Sequence, residues 1–261
     1  MRLKDKVAIV TGGASGIGRA AIDLFASEGA SVVIADINAS AIEAAVGELR
    51  NAGHKAAGHM CDVTRREDTH EFMKMVHAEF GRIDVLVNNA GITRYRPFAE
   101  ATSEDWDAVL GVDLKGVFFC SQAAAPFMRR QGYGRIVNIS SALGTGAAPH
   151  NTAGSPGGSA AYASAKAGVI MLTKTLAREL GPDGITVNCV APGTFLTPIS
   201  ASNRTPDEVE EHLEHRRRNL LLRRVGTLDE LASVILFFAS DQASYVTGQT
   251  LSVDGGRSDR M

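Results

Sequence analysis

Tyr162 and Lys166 are four residues apart in a stretch whose apolar residues recur with helical periodicity. On a helix, that spacing places both side chains on one face. A phenol has a reference pKa of about 10, so it is a poor base at neutral pH unless a nearby cation favours the phenolate. Lys166 would supply that cation, and the pair therefore predicts proton exchange between Tyr162 and a substrate oxygen.

A glycine-rich turn, Thr11–Gly18, connects the first strand-like run to the first helical segment. Gly12, Gly16 and Gly18 would let the backbone pass close to a ligand, and the N–H groups that open a helix attract an anion. The turn therefore predicts a site for a dinucleotide pyrophosphate. A tight strand-to-helix connection without a ligand is the alternative.

Asp36 follows the second strand-like run, where an acidic side chain can accept hydrogen bonds from both hydroxyls of an adenosine ribose. The same charge would repel a 2′-phosphate, and no arginine stands at Ala14, Ser15 or Ile37 to compensate for it. Asp36 therefore predicts NAD in preference to NADP. The alternative is that Asp36 only caps a turn before the helix that follows.

Positioning these residues requires strands and helices in alternation, which predicts βαβ units and a parallel sheet covered on both faces. The predicted strands are Val7–Val10, Ser31–Ala35, His54–Cys61, Ile83–Asn88, Arg135–Ser140, Ile185–Ala191 and Gln249–Val253. The predicted helices are Gly16–Gly29, Ala39–Ala52, Arg66–Phe80, Ser103–Gln131, Ala160–Leu180 and Leu228–Ser240. No break in composition divides the chain, so residues 1–261 are expected to form one doubly wound α/β domain.

Two further motifs fall at strand ends, Asp62-Val63 after the third run and Asn88–Gly91 after the fourth. The carboxyl ends of parallel strands meet at one edge of an open sheet, and ligands bind in the crevice there. The glycine turn, Asp36 and these two motifs are therefore expected to line one crevice.

Composition excludes several classes of function. A net charge of -2 provides no basic surface for nucleic acid, and neither a signal peptide nor an uninterrupted apolar stretch of membrane length is evident. The three cysteines lack paired spacing, so we expect reduced core thiols in a cytoplasmic protein without a membrane partner. His212 and His215 lie among charged residues typical of a solvated helix, and no metal site is expected.

Taken together, the motifs resemble those of the short-chain dehydrogenase/reductase family over essentially the whole chain. The resemblance rests on Thr11–Gly18, Asp62-Val63, Asn88–Gly91, Ile139-Ser-Ser141, Tyr162-Ala-Ser-Ala-Lys166, Asn188, Pro192-Gly193 and Val253-Asp-Gly-Gly256. It implies a Rossmann-type fold with a seven-stranded parallel sheet, a nicotinamide cofactor, and a homotetramer built from two-fold interfaces.

The resemblance also implies roles for single residues. Ser141, rather than Ser140, would orient the substrate oxygen, Tyr162 would transfer the proton, and Lys166 would also bind the nicotinamide ribose. Asp62 and Val63 would flank the adenine, and Asn89 would lie near the cofactor ribose. The cofactor-binding residues expected in total are Gly12, Ser15, Gly16, Ile17, Gly18, Asp36, Asp62, Val63, Asn89, Gly91, Tyr162, Lys166, Pro192, Gly193, Phe195 and Thr197.

Asp113 departs from the family pattern, because it stands where a catalytic asparagine is expected. In the family, that residue helps to hold a water that relays protons from the lysine. A carboxylate can accept hydrogen bonds but cannot donate through an amide, and it adds a negative charge near Lys166. Asp113 is therefore expected to be a variant fourth member of the catalytic set.

Two stretches interrupt the alternation of strands and helices. Gly144–Ser159, rich in glycine and proline, is predicted to be an irregular surface loop, and it separates Ser141 from Tyr162 by more than the family's usual spacing. We expect this insertion to set substrate choice, with a plain spacer as the alternative. Thr197–Val225 carries a charged run and predicts one or two helices outside the sheet, and residues 195–225 are expected to form a substrate loop or lid.

The sequence thus predicts an enzyme that moves a hydride reversibly between NAD(H) and a secondary alcohol or ketone. A 3-oxoacyl-carrier reductase is the alternative within enzymes, and Asp36 argues against it by disfavouring NADPH. A dinucleotide-sensing protein without turnover is the alternative from another class, and the intact Tyr162 and Lys166 pair argues against that.

Overall fold

The computed structural model describes residues 1–94, 96–146, 159–197 and 205–257. Within these ranges seven strands form one sheet in the order β3-β2-β1-β4-β5-β6-β7, and every neighbouring pair is parallel. The strands are β1 Val7–Thr11, β2 Ser31–Asp36, β3 Ala56–Met60, β4 Val85–Asn88, β5 Gly134–Ile139, β6 Ile185–Pro192 and β7 Thr250–Val253. The predicted seven-stranded parallel sheet is confirmed.

The helices follow the predicted order. They are α1 Gly16–Ser27, α2 Ala39–Asn51, α3 Arg66–Phe80, α4 Ser103–Leu110, α5 Val117–Gln131, α6 Ala142–Thr145, α7 Ala160–Leu180, α8 Pro206–Arg218 and α9 Leu228–Ala239. The predicted single helix Ser103–Gln131 contains a π-helical segment, Gly111–Gly116, between α4 and α5. Gly144 and Thr145 belong to the short helix α6 and not to the predicted loop, of which residues 147–158 lie outside the described ranges.

The side chains of β1 show how the sheet is covered on both faces. Ala8 and Val10 pack in one core layer with α1, α2 and α9, while Val7 and Ile9 pack in the opposite layer with α3 and α5. Because successive strand side chains point to opposite faces, a strand covered on both sides must be apolar throughout. This explains the unbroken apolar runs in the sequence.

The register of the strands aligns their carboxyl ends along one edge. Thr11 lies opposite Ala35, Asn88 opposite Asn138, and Ile139 opposite Val190. Strand order reverses between β1 and β4, which creates the switch point at which open α/β sheets bind ligands. The predicted crevice therefore lies at this edge.

A buried row of polar side chains lies beneath that edge. Asn88 Nδ2 donates to Asn138 Oδ1 at 2.8 Å and to Ser121 Oγ at 3.0 Å, and Asn138 Nδ2 donates to Thr173 Oγ1 at 2.9 Å. The row joins β4 to α5 through Ser121 and β5 to α7 through Thr173. Buried amides require such partners, so the row also fixes α7 relative to the strand ends.

Asp84 stabilises the amino ends of the central strands β1 and β4. It is fully buried, and its carboxylate accepts hydrogen bonds from Val7 N at 2.8 Å and from the Arg82 guanidinium at 2.6 Å.

We expect Asp84→Ala to lower the free energy of unfolding by about 2 kcal/mol, because Val7 N–H and Arg82 lose their acceptor. Urea denaturation measures this loss. Asp183→Ala removes a more exposed pair with Arg129 and should cost less than about 1 kcal/mol, and equal losses would contradict the argument.

The continuous helical stretch Ser103–Gln131 is long and apolar enough to span a bilayer, but half of its most apolar window is buried inside the protein. The core helix of a globular protein meets the same criteria, so this stretch is weak evidence for a membrane span. Cys61, Cys120 and Cys189 are all free and buried, which confirms that they are core thiols.

Candidate active site

Tyr162 and Lys166 share one face of α7, as their spacing predicted. Lys166 is 3% exposed, and its Nζ donates to Ile139 O at 3.0 Å and lies 5.5 Å from the centre of the Tyr162 ring. Lys166 Nζ also lies 3.1 Å from Asp113 Oδ2, so the two side chains form a buried ion pair. The lysine is thereby held as an ammonium beside the phenol.

The two serines at the end of β5 point in different directions. The Ser141 hydroxyl is hydrogen-bonded to the Tyr162 phenol and also accepts from Leu143 N at 3.1 Å. Ser140 Oγ instead donates to the main-chain oxygen of Lys166 at 2.7 Å. Neighbouring residues of an extended chain face opposite sides, which separates the two roles. The structure therefore brings Ser141 to Tyr162 despite the long insertion, and it gives Ser140 a positioning role that sequence reasoning missed.

Burial and two neighbouring charges act on the pKa of Tyr162. Burial raises the pKa of Tyr162, the Lys166 ammonium lowers it, and the Asp113 carboxylate raises it again, so that the net shift is upward. For Lys166, burial lowers the pKa, but Asp113 and Tyr162 outweigh that effect and raise it. Burial raises the pKa of Asp113 against the opposing charge of Lys166. With Lys166 charged and Tyr162 neutral, the group is arranged to donate a proton.

Asp113 lies in the π-helical segment and is fully buried. Its Oδ1 accepts a hydrogen bond from Ile92 N at 2.8 Å, and a Cβ at Gly91 would lie 3.1 Å from its Oδ2. The end of β4 therefore packs directly against the ion pair, which leaves little room for any residue other than glycine at position 91. Single π-helical turns inside α-helices often occur at functional sites, and this one turns Asp113 toward Lys166.

The glycine turn forms a cradle at the start of α1. Gly12 has a φ of +62°, and a Cβ there would lie 3.1 Å from Ala90 Cα, so both conformation and space favour glycine. A Cβ at Gly18 would overlap Gly12 O. Ser15, at the N-cap, makes no side-chain hydrogen bond to α1 within the described ranges, whereas Asn38 and Thr102 cap α2 and α4. The N–H groups of Gly16 and the two residues after it are thus suited to an anion, and the cradle fits a pyrophosphate.

Asp36 ends β2 beside this cradle. Its Oδ1 accepts from Asn38 N at 3.1 Å, and its Oδ2 accepts from Ala14 N at 3.3 Å. The carboxylate therefore joins β2 to the glycine turn, where a ribose next to a bound pyrophosphate would lie. Its contact with Asn38 N is also the turn before α2 that the alternative expects, whereas the side chain that caps α2 itself is that of Asn38.

Asp62, Val63 and Asn89 complete the crevice from two other strand ends. Asp62 Oδ1 accepts from Thr64 N at 2.9 Å, which fixes the turn after β3. Val63 is buried against Gly116 of the π-helical segment. Asn89 Nδ2 donates to Thr11 O at 2.9 Å and to Gly12 O at 3.1 Å, so its amide supports the glycine turn.

The Pro192-Gly193 turn ends β6 on the other side of the site. Gly193 N donates to Val253 O at 2.8 Å, and Phe195 after it is buried with its ring against Gly226. The Phe195 side chain is therefore directed into the protein, and its expected approach to a nicotinamide stays a prediction. Thr197 is the last described residue before the gap at 198–204.

Metal ligands are not grouped in the part of the chain that the structure describes. No cluster of three or more His, Cys, Asp or Glu residues there could hold a metal ion. The side chains of His212 and His215 lie outside the described atoms, so the expectation of no metal site stays a prediction.

Comparison with known proteins gives a consistent family. A family model described as enoyl-(acyl carrier protein) reductase matches residues 12–258. The chain is 45% identical to the 3-oxoacyl-[acyl-carrier-protein] reductase FabG of Thermotoga maritima, covering 98% of this chain and 99% of that protein. It is 41% identical to the (2S)-[(R)-hydroxy(phenyl)methyl]succinyl-CoA dehydrogenase subunit BbsD of Thauera aromatica, covering 99% and 98%.

Solved structures agree with these relatives. The crystal structure of levodione reductase superposes with a TM-score of 0.89 at 32% identity and covers both chains completely. That of gox2181 gives the same TM-score at 37% identity, covering 97% of this chain and 96% of the other. The motifs, the fold and the relatives therefore agree: the chain belongs to the short-chain dehydrogenase/reductase family and is an oxidoreductase acting on CH–OH and keto groups.

Proposed function

We propose that this enzyme uses NADH to reduce 3-oxoacyl thioesters and, in reverse, oxidises the corresponding 3-hydroxyacyl thioesters. The observation that supports this most is the identity of 45% and 41% with two relatives whose names specify an acyl carrier protein or CoA. A general secondary-alcohol dehydrogenase was the first expectation from sequence, and the relatives favour the 3-oxoacyl-carrier alternative over it.

The site residues account for the proton and the oxygen in this reaction. Tyr162 would donate its phenolic proton to the ketone oxygen as hydride reaches the carbonyl carbon, which gives the alcohol. The Ser141 hydroxyl would donate a hydrogen bond to the same oxygen and stabilise its growing negative charge. Lys166 would favour the phenolate that remains. A bound nicotinamide dinucleotide would supply the hydride, and its pyrophosphate fits the cradle at α1.

Substrate assays test the proposal directly. Acetoacetyl-CoA, an acetoacetyl-loaded acyl carrier protein, cyclic diketones and simple ketones would each be reduced with NADH and followed by nicotinamide absorbance. We expect kcat/KM for a thioester to exceed that for ketones without a thioester by roughly 100-fold or more, a difference of about 2.7 kcal/mol in transition-state binding. A higher kcat/KM for a ketone that lacks the thioester would overturn the proposal.

A small-ketone reductase is the second candidate, because the levodione reductase structure covers both chains completely. The same assays distinguish it, since a cyclic diketone would then be the best substrate. The non-catalytic alternative is disfavoured by the family and by the assembled Ser141, Tyr162 and Lys166 group.

NAD(H) preference depends on Asp36. The carboxylate would bond the ribose hydroxyls of NAD(H) and repel the 2′-phosphate of NADP(H). We expect the wild-type protein to have a higher kcat/KM with NADH than with NADPH. Asp36→Ala should lower the ratio of these two kcat/KM values by roughly tenfold or more. Asp183→Ala, which changes a distant carboxylate, should leave the ratio unchanged. A wild-type preference for NADPH would show that the ribose assignment is wrong.

We further propose one domain over residues 1–261, a lid formed by residues 195–225, a homotetramer and a cytoplasmic location. Support for the lid comes from α8, which lies outside the sheet between β6 and α9. Three free thiols fit a reducing compartment. Light scattering during gel filtration measures the oligomeric state, and a monomeric mass would contradict the tetramer.

A further inference from the structure

The turn that follows β7, Asp254–Gly256, contacts the chain that leaves α8. Leu220 and Arg257 form an antiparallel bridge. Leu221 N donates to Gly256 O at 2.8 Å, and Leu222 N donates to Gly255 O at 3.1 Å. The Val-Asp-Gly-Gly motif singled out in the sequence thus supplies main-chain acceptors to the segment after α8.

The same turn also contacts the chain where the proposed lid, residues 195–225, begins. Gly193 N donates to Val253 O at 2.8 Å, and a Cβ at Gly193 would overlap Asp254. Phe195 pairs with Gly226 in a parallel bridge, and a Cβ at Gly226 would overlap the Phe195 ring. Both ends of the segment therefore meet beside the Pro192-Gly193 turn and the end of β7.

Glycine is required at the centre of this contact. Gly256 has a φ of +74°, and a Cβ there would lie 3.0 Å from the Leu221 side chain. Asp254 Oδ1 accepts a hydrogen bond from Gly256 N at 3.1 Å and so holds the turn in shape. A larger residue at position 256 would strain the backbone and displace Leu221.

A salt bridge reinforces the end of the segment. Arg224 lies 2.6 Å from Glu230, and Glu230 in turn accepts from Thr227 N at 2.8 Å in the capping box that starts α9. The chain after α8 is thus fixed to α9 as well as to the turn after β7. Its position relative to the active-site edge is therefore set by the body of the domain.

We propose that the Asp254–Gly256 turn is a positioning element that holds the segment after α8 in place for substrate binding, without contacting the cofactor or the reacting atoms. The effect on substrate rests on the proposed function of residues 195–225 as a lid. The anchoring itself depends only on the contacts described above.

The first test compares two glycine substitutions. Gly256→Val places a side chain against Leu221, whereas Gly53→Val strains a glycine with a φ of +83° that has nothing within 4 Å of its Cβ position. For Gly256→Val we expect substrate KM to rise about fivefold or more, with kcat and NADH affinity within about twofold of wild type. Limited trypsin digestion should cut after Arg218 or Arg223 about fivefold faster than in the wild type. Gly53→Val should change neither the substrate KM nor the rate of digestion.

A second pair of variants keeps the test decisive if Gly256→Val does not fold. Asp254→Ala removes the acceptor that shapes the turn, and Asp254→Asn retains an oxygen in that place. We expect the alanine variant to have a higher KM and a faster digestion than the wild type. The asparagine variant should have the wild-type KM and the wild-type digestion rate. A digestion rate unchanged by Asp254→Ala would overturn the anchoring. Faster digestion with unchanged KM would overturn the substrate role. Faster digestion in a protein whose wild type reduces no ketone would leave the anchoring in place and reject the proposed function instead.

Discussion

Replacing Tyr162 with phenylalanine is expected to lower kcat by roughly 10³-fold while the protein still folds and binds NADH. The substitution removes the proton that the ketone oxygen must receive but keeps the ring in its place. Among the residues that the structure describes around Tyr162, Ser141 is a neutral hydroxyl and Lys166 is bound to Asp113 and to Ile139 O, so neither is suited to replace the phenol as the proton donor. Steady-state rates in both directions, with NADH affinity from fluorescence titration, measure the effect.

Tyr245→Phe is the matched control for this experiment. Tyr245 is fully exposed, so loss of its hydroxyl should leave kcat unchanged. A fall in NADH affinity that accounts for the whole loss in Tyr162→Phe would indicate a role in binding. Retention of more than about a tenth of wild-type kcat would remove Tyr162 from the proton-transfer step, because acid–base groups usually contribute at least 10²-fold.

The sheet and its order of helices could be predicted because both depend on short-range patterns. The second strand was predicted as Ser31–Ala35 and extends by one residue to Asp36, and α3 was predicted with its observed bounds. The third strand was predicted too long, since His54–Cys61 is reduced to Ala56–Met60. That strand lies at the edge of the sheet with only one neighbour, so its ends depend on pairing rather than on composition.

The π-helical segment shows what local patterns cannot predict. Val109 and Val117 are buried on either side of it, and such apolar residues are compatible with one continuous α-helix. The extra residue in the turn is stabilised by contacts distant in sequence, notably those of Asp113 with Lys166 and with Ile92 N. Gly111 and Gly116 at its two ends were the sequence feature that could have indicated a break.

The proximity of Tyr162 and Lys166, the proposed catalytic pair, was predictable because they are four residues apart, whereas the main-chain partners of Lys166 required the structure. The bond from Ser140 Oγ to Lys166 O joins residues 26 positions apart, and that from Lys166 Nζ to Ile139 O joins residues 27 apart. Nothing in the local sequence distinguishes these acceptors from other main-chain oxygens. The family resemblance separated Ser141 from Ser140, but it gave no partner for the Ser140 hydroxyl.

Asp113→Leu is expected to destabilise the fold by about 3–5 kcal/mol, because it leaves the Lys166 ammonium buried without its counter-ion. Ile92 N would also lose its acceptor. Urea denaturation measures this loss, and kcat should fall with it as Lys166 shifts away from Tyr162. Asp113→Asn should be far milder, since its amide oxygen can still accept from Ile92 N or face the lysine. Wild-type stability in Asp113→Leu would show that the ion pair contributes little to the fold.

The same asparagine variant tests the charge on Tyr162. An anion near a phenol disfavours the phenolate, so removing the Asp113 carboxylate should lower the pKa of Tyr162. Oxidation requires the phenolate, and its kcat/KM should therefore rise at lower pH in Asp113→Asn, with the acid limb of the pH profile shifted down by about one pH unit. Reduction requires the phenol and should lose activity at correspondingly lower pH.

Asp107→Asn, which changes an exposed carboxylate on α4, should leave both pH profiles unchanged. Profiles that do not move in Asp113→Asn would mean that this carboxylate, although 3.1 Å from Lys166, does not control protonation of the phenol.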